Sequence, residues 1–327
     1  MTEPSAARQS SPSLSAIVLV PQRVATVRRS LDALAAQDVR DRVELVFVSP
    51  AATLEVPEYI GEFWGWQHVR IARLDSTSEA RAAGIRHARA SVVVLTEDHS
   101  FATPGWAAAL IEAHSDDWAA VGPAMLNANP ATAVSWSNLA IEYGPWLHPA
   151  PGGAATHIAG HNASYKRAVL IEYGDALGSM MEAESVLHWD LRRRGHRVAV
   201  APTARIRHEN FSRLLPALAV KFNLGRMFAG NRATGWPIWK RAIYTVGSPA
   251  LPFIRTRRAL GDLRRARSPR SMPVLAGTLF SLLAANAAGE LIGYAMGAGR
   301  AMQRLTRHEF DRKIFLTPRD QGLMYPS

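Results

Sequence analysis

Cysteine is absent from the 327 residues of the chain. Its absence excludes disulfide bonds, zinc sites built from thiolates and a cysteine nucleophile, and it is typical of a reducing compartment. The polar N-terminal stretch MTEPSAARQSSPS lacks the apolar core of a secretory signal, so we expect none there. Acidic residues are also scarce, because 27 Asp and Glu face 38 Lys and Arg, a formal net charge of +11. We therefore expect an anionic partner such as a phosphate, a nucleic acid or an acidic lipid.

The first part of the chain alternates between short apolar runs and helical patterns. Apolar runs predict buried strands over 14–21, 43–48, 69–74 and 91–95. Apolar residues at helical spacing predict helices over 24–36, 78–90 and 104–114. This alternation is typical of a parallel α/β sheet covered by helices on both faces. Ligands of such sheets bind beyond the carboxyl ends of the strands, so the segment after Leu95 is the first place to look for chemistry.

A loop and a further helix and strand complete this part. Residues 145–156 carry three prolines and two glycines and are predicted to form a mobile loop, either a lid or a plain connector. A helix is predicted over 182–194, with Gly195 ending it before a strand over 196–201. The sequence thus divides into three parts: a disordered tail over 1–13, an α/β domain over 14–212 and a helical C-terminal region over 213–327.

The C-terminal region is basic and then apolar. Seven arginines lie between Arg255 and Arg270 against one acid, and an apolar stretch over 272–299 follows. Its cleanest part, 272–285, is shorter than the ~20 residues that span a bilayer. We predict a pair of apolar helices in or against the membrane, with the arginines on anionic head groups. A buried helix of a globular subdomain and a true transmembrane span are the alternatives, and the arginines would place the α/β domain in the cytoplasm.

Two acids and a histidine follow the strand predicted over 91–95. They are Glu97, Asp98 and His99, directly after Thr96. Carboxylates at the carboxyl edge of a parallel sheet suit a hard cation such as Mg²⁺ or Mn²⁺, which can clamp a diphosphate. The alternative is that the two acids only cap the next turn.

Two further carboxylates, Glu182 and Glu184, open the predicted helix 182–194. The positive end of the helix dipole favours their ionised forms. One of them, if it faced the cleft, could act as a general base for a hydroxyl. The alternative is ordinary charge at a helix N-terminus.

Polar groups of two more segments could join this chemistry. Gly160, His161 and Asn162 offer donors and acceptors to a polyhydroxyl ligand, although the same residues suit an Asx-type turn. His208 could supply a third metal ligand beside the acid pair, or it could be an exposed histidine in a basic stretch.

The order of these motifs resembles that of the family 2 glycosyltransferases, whose nucleotide-binding α/β fold is called GT-A. Four segments carry the resemblance, over roughly residues 14–212: LSAIVLVPQRVATVRRSLDALAAQ, ARAAGIRHARASVVVLTEDHSFATPGW, AGHNASYKRAVL and EAESVLHWDLRRRGHRVAVAPTARIRHEN. They are similar to the opening strand and helix, the metal motif, the acceptor-side motif and the helix with the catalytic acid. The tail ending AAGELIGYAMGAG resembles those of membrane-bound members.

The resemblance implies a nucleotide-sugar-dependent enzyme and assigns its site. The reaction would be an inverting transfer from a nucleotide-diphosphate sugar to a hydroxyl of a lipid-linked or cell-envelope acceptor, at the cytoplasmic face of the membrane. A divalent cation, Mn²⁺ or Mg²⁺, would lie on Asp98 and Glu97 with help from His208, while the adjacent His99 receives no ligand role. Glu184 would be the base and Glu182 the second choice. The donor is expected at Pro21, Ser49, Arg81, Glu97 and Asp98. The acceptor is expected at Gly160, His161 and Asn162. The membrane surface is expected at Arg255–Arg270 and the apolar stretch after it.

Three positions depart from the family pattern. Ser49 ends the second strand, where the family has an acid that binds the nucleotide base of the donor. Thr96 replaces an acid at the start of the metal motif. Glu184 follows an alanine where the family more often shows Glu and then Asp. A catalytically silent relative that serves as a membrane-bound scaffold is therefore the second hypothesis. A nucleotidyltransferase and a nucleic-acid-binding protein are weaker hypotheses, the latter because no motif for reading DNA or RNA accompanies the charge.

Overall fold

The computed structural model describes residues 10–21, 23–182, 184–301, 303–305 and 312–325. Residues 1–9 of the predicted tail lie outside this described part. The chain divides into two compact units. The α/β unit comprises Met1–Leu126 and His148–His208, and the helical unit comprises Asn127–Leu147 and Glu209–Ser327.

The α/β unit is built on a mixed sheet. Its strands are β1 (Leu14–Leu19), β2 (Val43–Ser49), β3 (Gly65–Arg70), β4 (Val92–Leu95), β5 (Ser100–Ala102), β6 (Ala120–Asn127), β7 (Gly153–Ala155), β8 (Ser164–Lys166) and β9 (Val198–His208). Their order is β3-β2-β1-β4-β8-β6-β9-β5, and β7 pairs with β9. The first four strands are parallel, whereas β8 runs antiparallel to both β4 and β6. The predicted α/β sheet is thus present, with a parallel half and an antiparallel extension.

The α-helices with described bounds follow in chain order. They are α1 (Arg28–Ala35), α2 (Thr77–His87), α3 (Trp106–Ala113), α4 (Ala133–Tyr143), α5 (Arg167–Ile171), α6 (Leu177–Met181), α7 (Glu184–Arg193), α8 (Leu214–Arg232), α9 (Ile238–Gly247), α10 (Leu251–Arg265), α11 (Met272–Met296) and α12 (Pro318–Met324). Helix α4 and helices α8–α12 belong to the helical unit.

The parallel strands form the core of the α/β unit. Every residue of β2 and β4 is buried, as expected for strands covered on both faces. Helix α2 starts at Ser76, whose hydroxyl accepts a hydrogen bond from the amide of Glu79. It packs closely on β1 and β2 through Gly84, where a Cβ atom would lie 2.7 Å from Ile17 and 2.9 Å from Val48. This packing fixes α2 over the carboxyl ends of the central strands.

The third strand differs from the sequence prediction. Strand β3 spans Gly65–Arg70, and the predicted strand over 69–74 overlaps it only at its end. The reason is its register: Gly65 pairs with Glu44 and Arg70 with Ser49, the last residue of β2. As an edge strand, β3 is only partly buried, so its apolar pattern is weak.

The predicted pair of C-terminal apolar helices is wrong, because α11 is one continuous helix of 25 residues. The polar residues inside it are satisfied within the helical unit. Asn286 donates to the carbonyl of Lys221 at 3.1 Å, and Glu290 forms an ion pair with Arg255 at 2.6 Å. Among the described residues, α11 is the one helix long and apolar enough to cross a membrane, and 39% of its apolar window is buried within the chain.

Helices α8 and α11 approach each other closely at three glycines. A Cβ atom at Gly225, Gly289 or Gly293 would strike a backbone carbonyl of the opposite helix. Small residues at such spacing let two helix backbones come into contact. The face of α11 that carries Gly289 and Gly293 is therefore used inside the helical unit.

Candidate active site

The loop after β4 is held by its neighbours in the sheet. The buried hydroxyl of Thr96 donates to the carbonyl of Ile17 in β1 at 2.8 Å. The hydroxyl of Ser30 in α1 donates to the carbonyl of Glu97 at 2.8 Å. The Thr96 side chain thus faces the sheet and not the group of ionisable side chains. The side chain of Glu97 is left as the group that this loop presents at the carboxyl end of β4.

Glu97 is the centre of a polar cluster. Its Oε2 atom accepts hydrogen bonds from Ser100 at 2.9 Å and from the Asn162 amide at 2.8 Å. Its Oε1 atom lies 3.6 Å from Nε2 of His99 and 3.8 Å from Nδ1 of His161. Nε2 of His208 lies 3.9 Å from Oε2. The loop after β4, the turn over Gly160–Asn162 and the end of β9 therefore meet at one carboxylate.

The charges around Glu97 keep it ionised. Burial by itself raises the pKa of Glu97. The three neighbouring histidines and the Arg81 guanidinium outweigh burial and hold the pKa well below its usual range. A carboxylate buried among cationic and imidazole groups is an arrangement typical of functional sites.

Three residues of this cluster could hold a metal ion. One ligand atom each from Glu97, His99 and His208 lies within 4.8 Å of the others. Asp98 is exposed, and its Oδ1 lies 2.6 Å from Nδ1 of His99. The contact leaves Nε2 of His99 directed toward Glu97. One carboxylate and two imidazoles fit a divalent transition metal such as Mn²⁺ better than Mg²⁺, which prefers oxygen.

The group of side chains that could hold a metal ion contains two of the three predicted ligands, Glu97 and His208. The third, Asp98, lies outside this group, and His99 lies in it. The missed signal is the Glu-Asp-His order itself. A carboxylate and a histidine two positions apart can face one point across a tight turn. The acid between them can then accept a hydrogen bond from the histidine, as Asp98 does from His99.

A second carboxylate, Glu184, lies beside the cluster at the start of α7. Its Oε1 atom lies 2.9 Å from Nδ1 of His161 and 3.5 Å from Nη1 of Arg81. Burial raises the pKa of Glu184, but His161 and Arg81 outweigh that effect and lower it. Burial likewise opposes the charge on His161, yet Glu184 and Glu97 raise the pKa of His161 to about 9. His161 is thus a cation between two carboxylates.

The turn over Gly160–Asn162 allows this approach. Glu184 packs directly over Gly160, where a Cβ atom would overlap the Glu184 carboxylate. Within the described part of the chain, two buried polar atoms near the cluster lack a hydrogen-bond partner: Nε of Arg81 and Oδ1 of Asn162. Unsatisfied buried groups of this kind are available to a ligand.

Other predicted site residues lie outside this cluster. Ser49 is buried at the end of β2, and its hydroxyl accepts a hydrogen bond from the amide of Ala51 at 3.2 Å. Pro21 lies just after β1. The side chain of Glu182 is exposed and, among the described residues, has no hydrogen bond or ion pair. Of the two acids at this helix, the structure brings only Glu184 to the cluster.

Residues 15–174 match the family model for Glycosyl transferase family 2. The chain contains a family 2 glycosyltransferase domain. The resemblance predicted from the sequence is confirmed, and with it the GT-A fold class and the class of enzyme, a nucleotide-sugar-dependent glycosyltransferase. The matched segment includes α2, the loop after β4 and the turn over Gly160–Asn162.

No curated protein sequence matches the chain. The solved structures that match the chain include the following three. GalNAc-T7 with UDP, GalNAc and Mn²⁺ has a TM-score of 0.46 at 14% identity, covering 63% of this chain and 46% of that one. Mannosyltransferase PcManGT from Pyrobaculum calidifontis with GDP-Man and Mn²⁺ has a TM-score of 0.45 at 16% identity, covering 92% and 80%. S. aureus TarS 1-349 has a TM-score of 0.43 at 14% identity, covering 86% and 90%.

Proposed function

We propose that the chain transfers a sugar from a nucleotide-diphosphate donor to a hydroxyl acceptor, with inversion at the anomeric carbon. The observation that carries this proposal is the pair of carboxylates, Glu97 and Glu184, bridged by His161 at the carboxyl end of β4. One carboxylate belongs to a group suited to a cation, and the other is free of that group. Transfer of a sugar from a diphosphate to a hydroxyl requires both roles: a group that holds the cation and a carboxylate that acts as the general base.

Glu97, His99 and His208 would hold the divalent cation. The cation, when bound, offsets the negative charge of the departing diphosphate. Arg81 adds a fixed positive charge within 3.5 Å of Glu184, and its unsatisfied Nε atom supports a role in binding the anionic donor. Buried guanidinium groups bind phosphates well because their donors form a rigid planar fork.

Glu184 would accept the proton of the acceptor hydroxyl. His161 and Arg81 keep Glu184 deprotonated at neutral pH, which is the protonation state that a general base needs. The hydroxyl oxygen then forms the new bond to the anomeric carbon as the bond from that carbon to the diphosphate oxygen breaks. The pair of electrons leaves with the diphosphate, and the proton stays on Glu184. Attack opposite the leaving group inverts the configuration.

The acceptor and the location complete the proposal. Gly160, His161 and Asn162 would line the acceptor side, because this turn lies between the two carboxylates. A lipid-linked or cell-envelope glycan at the cytoplasmic face of the membrane is the proposed acceptor. Helix α11 and the arginines between Arg255 and Arg270 support a membrane location.

Calorimetric binding of UDP, GDP, TDP and CDP, with and without Mn²⁺, tests the proposal. We expect metal-dependent binding of one nucleotide, lost in Glu97→Gln and kept in Glu182→Gln, whose side chain lies outside the cluster. That result would also identify the nucleotide base of the donor. A folded protein that binds none of the four would instead favour a silent scaffold.

A further inference from the structure

Helix α9 exposes its large apolar side chains, whereas its polar residues Arg241, Tyr244 and Thr245 are half-buried. Ile238, Trp239, Ile243 and Val246 are 80%, 63%, 62% and 80% exposed. At helical spacing these positions share one face. A surface helix of a soluble protein normally shows the opposite arrangement, with its apolar stripe against the core.

Contacts with α11 fix α9 in this orientation. The Arg241 guanidinium donates to the carbonyls of Tyr294 and Ala295 at 2.8 Å and 3.1 Å. The ring of Tyr244 packs against Tyr294 and Trp236, with ring centres 5.3 Å and 4.9 Å apart. Turning α9 over would break these contacts, so its exposed apolar face is a built feature of the helical unit.

Exposed apolar side chains recur at the start of α10, which follows α9 after a short turn. Phe253 and Ile254 are 66% and 59% exposed, and the Phe253 ring contacts Phe280 of α11 with ring centres 5.1 Å apart. One turn later on the same face come Arg257 and Arg258, both exposed. Neither has an acidic partner among the described residues. The surface formed by the side chains of α9 and of the start of α10 named here is called the docking face. It consists of Ile238, Trp239, Ile243, Val246, Phe253, Ile254, Arg257 and Arg258.

We propose that the docking face binds the surface of an anionic lipid bilayer, with α9 and the start of α10 at the boundary between head groups and acyl chains. An exposed apolar face bordered by exposed arginines is complementary to such a surface in both polarity and charge. Tryptophan is favoured at this depth, where Trp239 would lie.

The proposal changes the expected mode of membrane contact. The sequence placed the apolar contact in the stretch over 272–299, but α11 packs its glycines and buried leucines within the helical unit. The proposal places the apolar contact at α9 instead. Arg257 and Arg258 keep the role expected for the arginines, whereas Arg255 and Arg265 form ion pairs with Glu290 and Asp262. The inference deepens the membrane location of the proposed function and does not depend on sugar transfer.

Sedimentation with lipid vesicles tests this surface on the full chain. We expect binding to vesicles of phosphatidylcholine with phosphatidylglycerol. The double variant Ile243→Ser with Val246→Ser should weaken this binding about tenfold or more. It removes two aliphatic side chains that the proposal buries in the bilayer. Leu215→Ser and Leu323→Ser are matched controls, because these side chains are 78% and 61% exposed at other helices. They should bind as the unaltered chain does.

The two charges are tested separately. Arg257→Gln with Arg258→Gln should weaken binding to the anionic vesicles about 30-fold, from about 1 kcal/mol for each charge near the surface. Quenching of tryptophan fluorescence by lipids with brominated acyl chains reports depth. It should fall in Trp239→Phe and stay unchanged in the Leu215 control.

Three results would overturn the proposal: no binding of the unaltered chain to anionic vesicles, equal binding by the α9 variants, or self-association that disappears in those variants. If the variants bound vesicles as well as the unaltered chain did, and this binding persisted at high salt, the result would indicate that α11 spans the bilayer. Nucleotide binding is measured on the same samples. A chain that binds nucleotide but not vesicles fails this inference alone, whereas a chain that binds vesicles but not nucleotide fails only the proposed transfer.

Discussion

Oδ1 of Asp98 accepts a hydrogen bond from Nδ1 of His99 over 2.6 Å. The bond directs Nε2 of His99 toward Glu97, 3.6 Å away. A carboxylate on the second nitrogen of a ligating histidine fixes the ring and raises its basicity. We therefore expect Asp98 to affect metal binding through His99, from an exposed position outside the group that could hold the metal.

Replacing Asp98 should weaken the metal site without destroying it. For Asp98→Asn we expect Mn²⁺ affinity to fall about 10- to 100-fold, which excess metal restores. Glu97→Gln removes a ligand and should abolish measurable binding. Calorimetric titration with Mn²⁺ alone measures both. If Asp98→Asn removed all binding while His99→Gln kept it, Asp98 would itself be the ligand.

Replacing Glu184 should separate turnover from donor binding. Glu184→Gln keeps the size of the side chain but cannot accept a proton, so we expect turnover to fall about 10²- to 10⁴-fold with nucleotide affinity nearly unchanged. The measurement is transfer of labelled sugar from the donor identified by calorimetry. Glu182→Gln is the matched control and should retain activity. Full activity in Glu184→Gln would shift the role of base to another group.

A methyl group at Gly160 should displace Glu184. In Gly160→Ala the new Cβ would lie 2.6 Å from Cβ of Glu184, so the start of α7 must shift and not merely its carboxylate. We expect about 1–3 kcal/mol lower stability from overpacking, and about 10²-fold lower turnover from misplacing Glu184. Gly61→Ala is the control, since its Cβ would meet nothing within 4 Å. Unchanged turnover in Gly160→Ala would contradict the assigned role of Glu184.

Two buried histidines should make the fold sensitive to mild acid. Burial lowers the pKa of His114 and of His188 to about 4 in each case. Both stay neutral when folded but take up a proton near pH 6.5 when unfolded. Their contribution is therefore complete above pH 6.5 and is lost as the pH falls toward 4. The gap corresponds to roughly 3 kcal/mol for each histidine.

Urea denaturation at several pH values between about 7.5 and 4 measures this effect. His114→Gln should flatten the decline, because the glutamine has no proton to take up in this range. Glu97 and Glu184 have lowered pKa values and contribute acid sensitivity only below about pH 4.5, so the two effects separate. A decline of equal steepness in His114→Gln would show that other groups cause it.

Much of the α/β unit follows from the sequence because its signals are local. The buried runs that became β1, β2 and β4 are short, apolar and separated by helical patterns, so their type and order could be predicted. The parallel arrangement in turn predicts that the loop after β4 carries the chemistry. Glu97 lies there as expected.

Side-chain direction and edge position were harder to predict. Which of Asp98 and His99 faces Glu97 depends on the turn after β4. Two hydrogen bonds hold this turn, one from Thr96 to β1 and one from Ser30 of α1. The position of β3 depends on its register with β2, since its own apolar pattern is weak. The reversed polarity of α9 depends on its contacts with α11, far away in sequence. Each of these is set by tertiary contacts and not by local pattern.

The contact between α8 and α11 has a mechanical consequence. With Gly225, Gly289 and Gly293 against opposing carbonyls, neither helix can slide or rotate past the other without a steric collision. We therefore expect α8 and α11 to move together as one body, so a displacement of α11 would also displace α8.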